Sequence, residues 1–171
     1  FFSLVFTRRA PAQPGPLIPA SWPLVTVQLP IFNELHVGRR LLAAVAALNY
    51  PRQALHIQVL DDSTDETTVL LKAEVRRLQA RGFQVTYLHR DDRRGYKAGA
   101  LAAGLAQTGA EFVAIFDADF VPPPDFLKRS LPHLLADPNA GFVQTRWAHL
   151  NATYSGLTGA QALALDGHFV I

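Results

Sequence analysis

The 171-residue chain contains no cysteine. Disulfide bridges, thiolate catalysis and zinc–cysteine centres are therefore excluded. It also contains no methionine, not even at position 1. The final stretch, Leu163 to Ile171, is apolar and carries no helix-stop signal. Both observations point to a chain cut at each end. Charge is scarce: 18% of residues are charged and the net charge is +2. The basic residues are scattered or locally paired, so nucleic acid is not an expected partner. No Gly-rich turn follows the first apolar strand, which argues against a dinucleotide-binding dehydrogenase. The apolar opening, Phe1 to Phe6, is far shorter than the roughly 20 residues that span a bilayer. With Arg8-Arg9 behind it, it fits the end of a transmembrane helix with its arginines on the cytoplasmic side. A frayed terminus or a short buried strand fits it equally well.

What is present suits one globular domain with a real core, since 49% of the residues are hydrophobic. Residues 10–23 hold five prolines and read as an extended linker. Residues 24–171 read as the folded domain. Val25–Leu29 predicts a strand ended by Pro30, and Val37–Leu48 a helix. Ile57–Leu60 predicts a second strand running into Asp61 and Asp62. Ser63 and Glu66 have the spacing of a capping box for a helix that reaches Arg81 and stops at Gly82. Phe83–Leu88 predicts a third strand. A small-sided helix containing Ala98, Ala100, Ala102, Ala103 and Gly104 follows, able to lie close on a sheet. Phe112–Phe116 predicts a fourth strand buried on both faces, stopped by Asp117, Asp119 and three prolines. A helix from about Pro124 is expected to kink or break before Pro132. Gly141–Thr145 predicts a fifth strand and Ser155–Ile171 a last helix. Four strand–helix alternations imply a mostly parallel α/β sheet with flanking helices.

Each of the four strands ends in charge. Glu34, then Asp61 and Asp62, then the cations from Arg90 to Lys97, then Asp117 and Asp119 fall at successive carboxyl ends. Parallel strands bring those ends to one rim, where open α/β sheets bind ligands. Two acids one residue apart repel unless a cation or proton is shared. A hard divalent ion together with phosphates is the ligand such a rim suits. Each piece alone also fits a plainer role. Asp117-x-Asp119 can be a backbone-capping turn. Asp61-Asp62 can supply charge to a helix N-terminus. Arg93, Arg94 and Lys97 can be a solvated face, and Glu34 a helix start.

Five segments, in order, carry a resemblance: Pro30-Ile-Phe-Asn-Glu34, Val59-Leu-Asp-Asp-Ser-Thr64, Arg93-Arg-Gly-Tyr-Lys-Ala-Gly-Ala100, Phe116-Asp-Ala-Asp119 and Val143-Gln-Thr-Arg-Trp147. Together they resemble a family 2 glycosyltransferase, in the processive membrane branch of cellulose-synthase-like glucan and mannan synthases. The resemblance implies a GT-A fold, Rossmann-like and here incomplete at its C-terminus. It implies inverting transfer from a nucleotide sugar, UDP-glucose or GDP-mannose, to a glycan acceptor. It implies a membrane protein anchored by segments outside this chain, with its catalytic domain on the cytoplasmic side. By position, Asp62 with Asp61 would receive the base and ribose, with Phe32 stacking beside the base and Glu34 on the nucleotide side. Lys97, helped by Arg93 or Arg94, would face the diphosphate. Asp117 would serve the nucleotide and metal side, and Asp119 would ligate Mg²⁺ or Mn²⁺. The family's Thr-Glu-Asp segment, which supplies the catalytic base, does not occur in these residues. Gln144-Thr-Arg146-Trp147 is one residue short of the Gln-x-x-Arg-Trp motif. On the acceptor side the candidates are Gln144, Trp147 and Asp166.

Other residues carry less. His36, His56, His133, His149 and His168 share no ligand spacing; His89, at a strand end, has the better claim. Asn151-Ala-Thr153 fits a glycosylation sequon that a cytosolic domain would leave unmodified. The chief rival is a phosphatase of the haloacid dehalogenase type, whose Asp-x-Asp-x-Val strand end Asp117, Asp119 and Val121 match, with Asp117 as nucleophile. That family carries its motif on the first strand, whereas three strands precede it here. A non-catalytic nucleotide-sugar-binding piece is the other alternative.

Overall fold

A computed structural model describes residues 18–145 and 153–168, the side chains of the last four excepted. Four strands form one sheet, β1 (Val25–Ile31), β2 (Leu55–Asp61), β3 (Gln84–His89) and β4 (Phe112–Ile115). Its order is β3-β2-β1-β4, and every pairing is parallel. The helices are α1 (Gly38–Ala46), α2 (Thr67–Ala80), α3 (Tyr96–Leu105), α4 (Phe126–Ala136) and α5 (Gly156–His168). No described helix is long and apolar enough to cross a membrane. Residues 1–17, including the apolar opening, lie outside the described residues. The end of the Pro-rich stretch is pinned, because Tyr50 donates to the Pro23 carbonyl at 2.6 Å and packs edge-on against Trp22.

Successive strand residues face opposite ways, and the two sheet faces differ in chemistry. Val25, Val27, Leu29, Leu55, Ile57 and Val59 meet Leu41, Leu42 and Val45 of α1 and Leu71, Val75 and Leu78 of α2 in one apolar core. Fully burying one such side chain contributes about 1.5–3 kcal/mol. Glu74 ties α1 to α2 by accepting from Arg39 at 2.9 Å and Arg77 at 2.7 Å. On the other face, α3 lies against β1 and β2. Gln28 and Gln58 are register partners there, both fully buried. Gln28 donates to Gln58 at 2.9 Å, and Gln58 donates to the Gly104 carbonyl at 3.0 Å. The small-sided helix is needed for this approach. A Cβ on Gly104 would lie 2.6 Å from Gln28 Nε2 and 2.8 Å from Gln58 Oε1. Gly104→Ala gains about 1 kcal/mol of helix propensity but overpacks a hydrogen-bonded core, which costs about 1–3 kcal/mol. A net loss of about 1 kcal/mol is expected in urea unfolding; a gain in stability would show that α3 sits further from the sheet.

Several local expectations are corrected. β1 continues through Pro30 to Ile31. Pro30 has the parity of Gln28, whose carbonyl accepts from Phe116 just past the end of β4. Its missing N–H therefore faces a side where the ladder has ended. The capping box does not form: α2 starts at Thr67, and the Ser63 hydroxyl accepts from the Asn33 N–H instead. Gly82 does end the second helical run, at φ 81°. β4 is not buried on both faces. It pairs only with β1 among the described residues, and Ile115 is 49% exposed. α4 runs through Pro132 to Ala136 without breaking. Residues 141–145 are exposed and form no strand, having no partner among the described residues.

Candidate functional site

The ladder carries order past the strand ends. The Asp62 N–H donates to the Ile31 carbonyl at 2.9 Å, and the Arg90 N–H to the Asp61 carbonyl at 3.0 Å. The loops after β1 and β2 are then stitched together: Asn33 N–H donates to Ser63 Oγ at 2.8 Å, and Thr64 N–H to Asn33 Oδ1 at 2.9 Å. Phe32 is thereby presented at the rim, 36% exposed. The Glu34 carbonyl accepts from Gly38 at the start of α1, and its side chain is half-buried.

The two adjacent aspartates are divided by strand alternation. Asp61 is fully buried. Its Oδ1 accepts from Ser63 N–H at 2.9 Å, while Oδ2 accepts from Thr68 at 2.9 Å and Tyr87 at 2.5 Å and lies 3.3 Å from His89 Nδ1. Burial alone would raise its pKa, but the hydrogen bonds from Ser63, Tyr87 and Thr68 together outweigh that and hold it below the usual carboxylate value. Burial and the neighbouring Asp61 push the Tyr87 hydroxyl upward. Asp62 is held by Arg90, one of the rim cations for which the sequence names no partner. Arg90 donates to it twice, Nε to Oδ1 at 2.8 Å and Nη2 to Oδ2 at 2.5 Å. The same guanidinium donates to the carbonyls of Arg94 and Tyr96, each at 3.0 Å. Its bond to Asp62 raises the Arg90 pKa further. Arg90 thus joins the β2 end to the loop that leads into α3 and Lys97. A cleft of about 330 Å³ opens beside it, between Ser63, Thr64 and Thr68 at one wall and His89, Arg90 and Asp91 at the other.

Just past the end of β4, Phe116 and Ala118 pack into the core, Phe116 edge-on to Phe126 at 4.8 Å. Asp117 and Asp119 flank the buried Ala118 in the turn closed by the Phe120 N–H on the Asp117 carbonyl at 3.0 Å, Asp117 half-exposed and Asp119 exposed. Lys97, in the first turn of α3, pairs with Asp117. Asp119 is exposed, and its carbonyl accepts from Arg40 at 3.4 Å. Arg93 lies across the Phe32 ring, its guanidinium carbon 3.2 Å from the centroid, whereas Arg94 points outward with Asp92 at 4.0 Å. The rim therefore brings together Phe32, Asp62, Arg90, Arg93, Lys97 and Asp117, and places Asp61 beneath them. Gln144 lies in the exposed stretch without regular structure. Trp147 and the Asp166 side chain lie outside the described residues. His56 bonds Thr86 at 2.8 Å, and burial lowers its pKa.

A metal fits this donor set only in part. Among the described residues, no three His, Cys, Asp or Glu side chains gather as a cage. Two hard carboxylates at one strand end, with one of them next to a lysine, suit a small cation that takes its remaining ligands from phosphate and water. Asp119 and Asp117 are the residues that would hold it.

A parallel sheet with charged strand ends at one rim, helices on both faces and an acidic pair after β4 defines a nucleotide-sugar transferase fold of the GT-A type. The family model described as "Glycosyl transferase family 2" matches residues 26–159, and the chain belongs to that family. It is 44% identical over 156 residues to glucomannan 4-beta-mannosyltransferase 2 of Arabidopsis thaliana, covering 89% of this chain and 29% of that protein. A probable glucomannan 4-beta-mannosyltransferase 6 of Oryza sativa subsp. japonica is also 44% identical, covering 89% of this chain and 27% of that protein. The chain thus spans under a third of the length of these curated relatives. Among solved structures it is similar to mannosyltransferase PcManGT from Pyrobaculum calidifontis in complex with GDP-Man and Mn2+. The TM-score is 0.67 at 32% identity, over 78% of this chain and 38% of that one. S. aureus TarS 1-349 in complex with UDP shares the fold alone, with TM-score 0.57 at 19% identity, over 74% of this chain and 40% of that one. Family membership sets the phosphatase reading aside.

Proposed function

We propose that this chain is the donor-binding half of an inverting glycosyltransferase that extends a β-linked polysaccharide from GDP-mannose. The observation that carries the reading is the rim itself, where Phe32, the Asp62–Arg90 pair and the Lys97–Asp117 pair meet. The 44% identity to glucomannan mannosyltransferases and the likeness to a structure holding GDP-Man and Mn2+ support mannose and guanine over glucose and uracil. Asp62 receives the ribose and base, kept in place by Arg90. Lys97 and Arg93 face the diphosphate and stabilise the charge that builds on the departing nucleotide. A divalent cation held by Asp119 and Asp117 would add positive charge to that leaving group when bound. Calorimetry with GDP-mannose and UDP-glucose, each with and without Mn²⁺, tests the assignment. GDP-mannose is expected to bind at least about tenfold more tightly with Mn²⁺, and Asp119→Ala to remove that gain. Tighter binding of UDP-glucose would overturn the donor, and binding indifferent to Mn²⁺ and to Asp119 would overturn the metal.

A further inference from the structure

Arg93 is held against the preferences of its own backbone. Its φ is 40°, in the left-handed region that a long side chain seldom adopts. Tyr96 at 49° shares that region, and so does Asn33 at 53°, a residue type that enters it more readily. The Arg93 guanidinium carbon lies over the Phe32 ring, 3.2 Å from its centroid, and 5.3 Å from the centroid of Tyr96. Its Nε is buried without a hydrogen-bond partner. Buried donors normally find an acceptor, and a charged one gains most from an anion. Next to it, Arg94 is 91% exposed with only a distant aspartate, so the constraint belongs to position 93 and not to the basic run as a whole.

Resting on the donor-site reading above, we infer that Arg93 is a stand-in for the nucleobase. It covers the face of Phe32 until a nucleoside diphosphate arrives, then leaves the ring and turns to the phosphates. A guanidinium is planar and delocalised, and it stacks on an aromatic face as a base does. Base–aromatic stacking is the stronger contact when the site is open to water, so the exchange favours the base. The freed guanidinium then gives its orphaned Nε–H to a phosphate oxygen in a charge-assisted bond. Only a ligand bearing both a base and a diphosphate gains from both halves of the exchange. A nucleoside must displace the cation without offering it a new partner. Arg93 thereby sets selectivity for the diphosphate over the bare nucleoside.

The test compares guanosine and GDP, each competing against a fluorescent GDP on the full chain, for wild type, Arg93→Ala and Arg94→Ala. Arg93→Ala is expected to bind guanosine about twofold to fivefold more tightly, the size of one exposed cation–π contact removed. It is expected to bind GDP about threefold or more weakly, because the phosphate contact is lost. Arg94→Ala is expected to leave guanosine affinity unchanged. Thermal unfolding of each variant separates a folding defect, which would weaken both ligands alike. Parallel changes in the two ligands, or no change in either, would overturn the exchange while leaving donor binding intact. A wild-type chain that binds no GDP would overturn the donor site and the exchange together.

Discussion

Gly99→Ala is expected to cost about 2 kcal/mol of stability and at least about a tenfold loss in GDP-mannose affinity. Helix propensity alone predicts the reverse, since alanine is favoured over glycine in a helix by about 1 kcal/mol. The site decides otherwise. A Cβ on Gly99 would lie 1.9 Å from the Arg94 carbonyl oxygen and 2.7 Å from Arg90 Nη1. The first of these is backbone and cannot swing away. The loop after β3 must lift, and it carries the Arg94 carbonyl to which Arg90 donates. Arg90 is the partner of Asp62, and Lys97 stands two residues before the substitution. One methyl group therefore disturbs both polar pairs of the rim. Gly109→Ala, with nothing within 4 Å of its Cβ, is the matched control. Urea unfolding and calorimetry check the pair. A Gly99→Ala chain with unchanged midpoint and affinity would mean that the Arg94 carbonyl does not lie across the first turn of α3.

Asp61→Ala is expected to lose about 3–5 kcal/mol, whereas Asp61→Asn should lose only about 1–2 kcal/mol. Alanine strands the Thr68 and Tyr87 hydroxyls and the Ser63 N–H, which all converge on this one carboxylate. Asparagine keeps an acceptor for Ser63 and a polar atom facing Tyr87. The two variants also separate in pH dependence. The folded pKa of Asp61 lies below the ordinary 3.8, so the native state favours the ionised form. Its contribution is complete above the unfolded value and fades as pH falls from about 4 toward the lowered folded value. Wild type should therefore approach Asp61→Asn in stability as pH drops from about 5 to about 3. Equal acid slopes in denaturant unfolding of the two proteins would remove Asp61 from the ionised groups that stabilise the fold.

Much of this arrangement is legible in sequence, and the limits are physical. The parallel sheet follows from apolar runs separated by helix-length segments, and its charged rim from where those runs stop. The division of labour between Asp61 and Asp62 was also available, because residues on either side of a strand end face opposite ways. Arg90 needed one more step. His89 pairs in register with Asp61, so Arg90 falls beside Asp62 once β2 and β3 are known neighbours. Strand order is what a single sequence withholds. It places β4 at an edge among the described strands, where Ile115 is half-exposed although its run looked like a buried strand. It also makes Gln28 and Gln58 partners, two residues that local patterning leaves as strand positions of no special interest. The failed capping box has a nearer cause. The Ser63 hydroxyl had two possible backbone partners, and the long-range one on Asn33 prevailed. The acidic pair was read from its position, yet the lysine on Asp117 comes from twenty residues upstream and across a helix turn.

The order of the strands also dictates how the rim must be assembled. β1 meets β2 across a separation of 30 residues, Val25 to Leu55, but meets β4 across 87, Val25 to Phe112. Closing the longer loop costs about 1 kcal/mol more in chain entropy. The pairing that meets this cost covers only four residues, from Val25↔Phe112 to Gln28↔Ile115, against seven between β1 and β2. The carboxylates proposed to hold the cation therefore ride on the slowest-closing and most sparsely laddered part of the sheet. The half of the rim that carries Asp62 and Arg90 can form before them, and the acidic pair docks onto a surface already built.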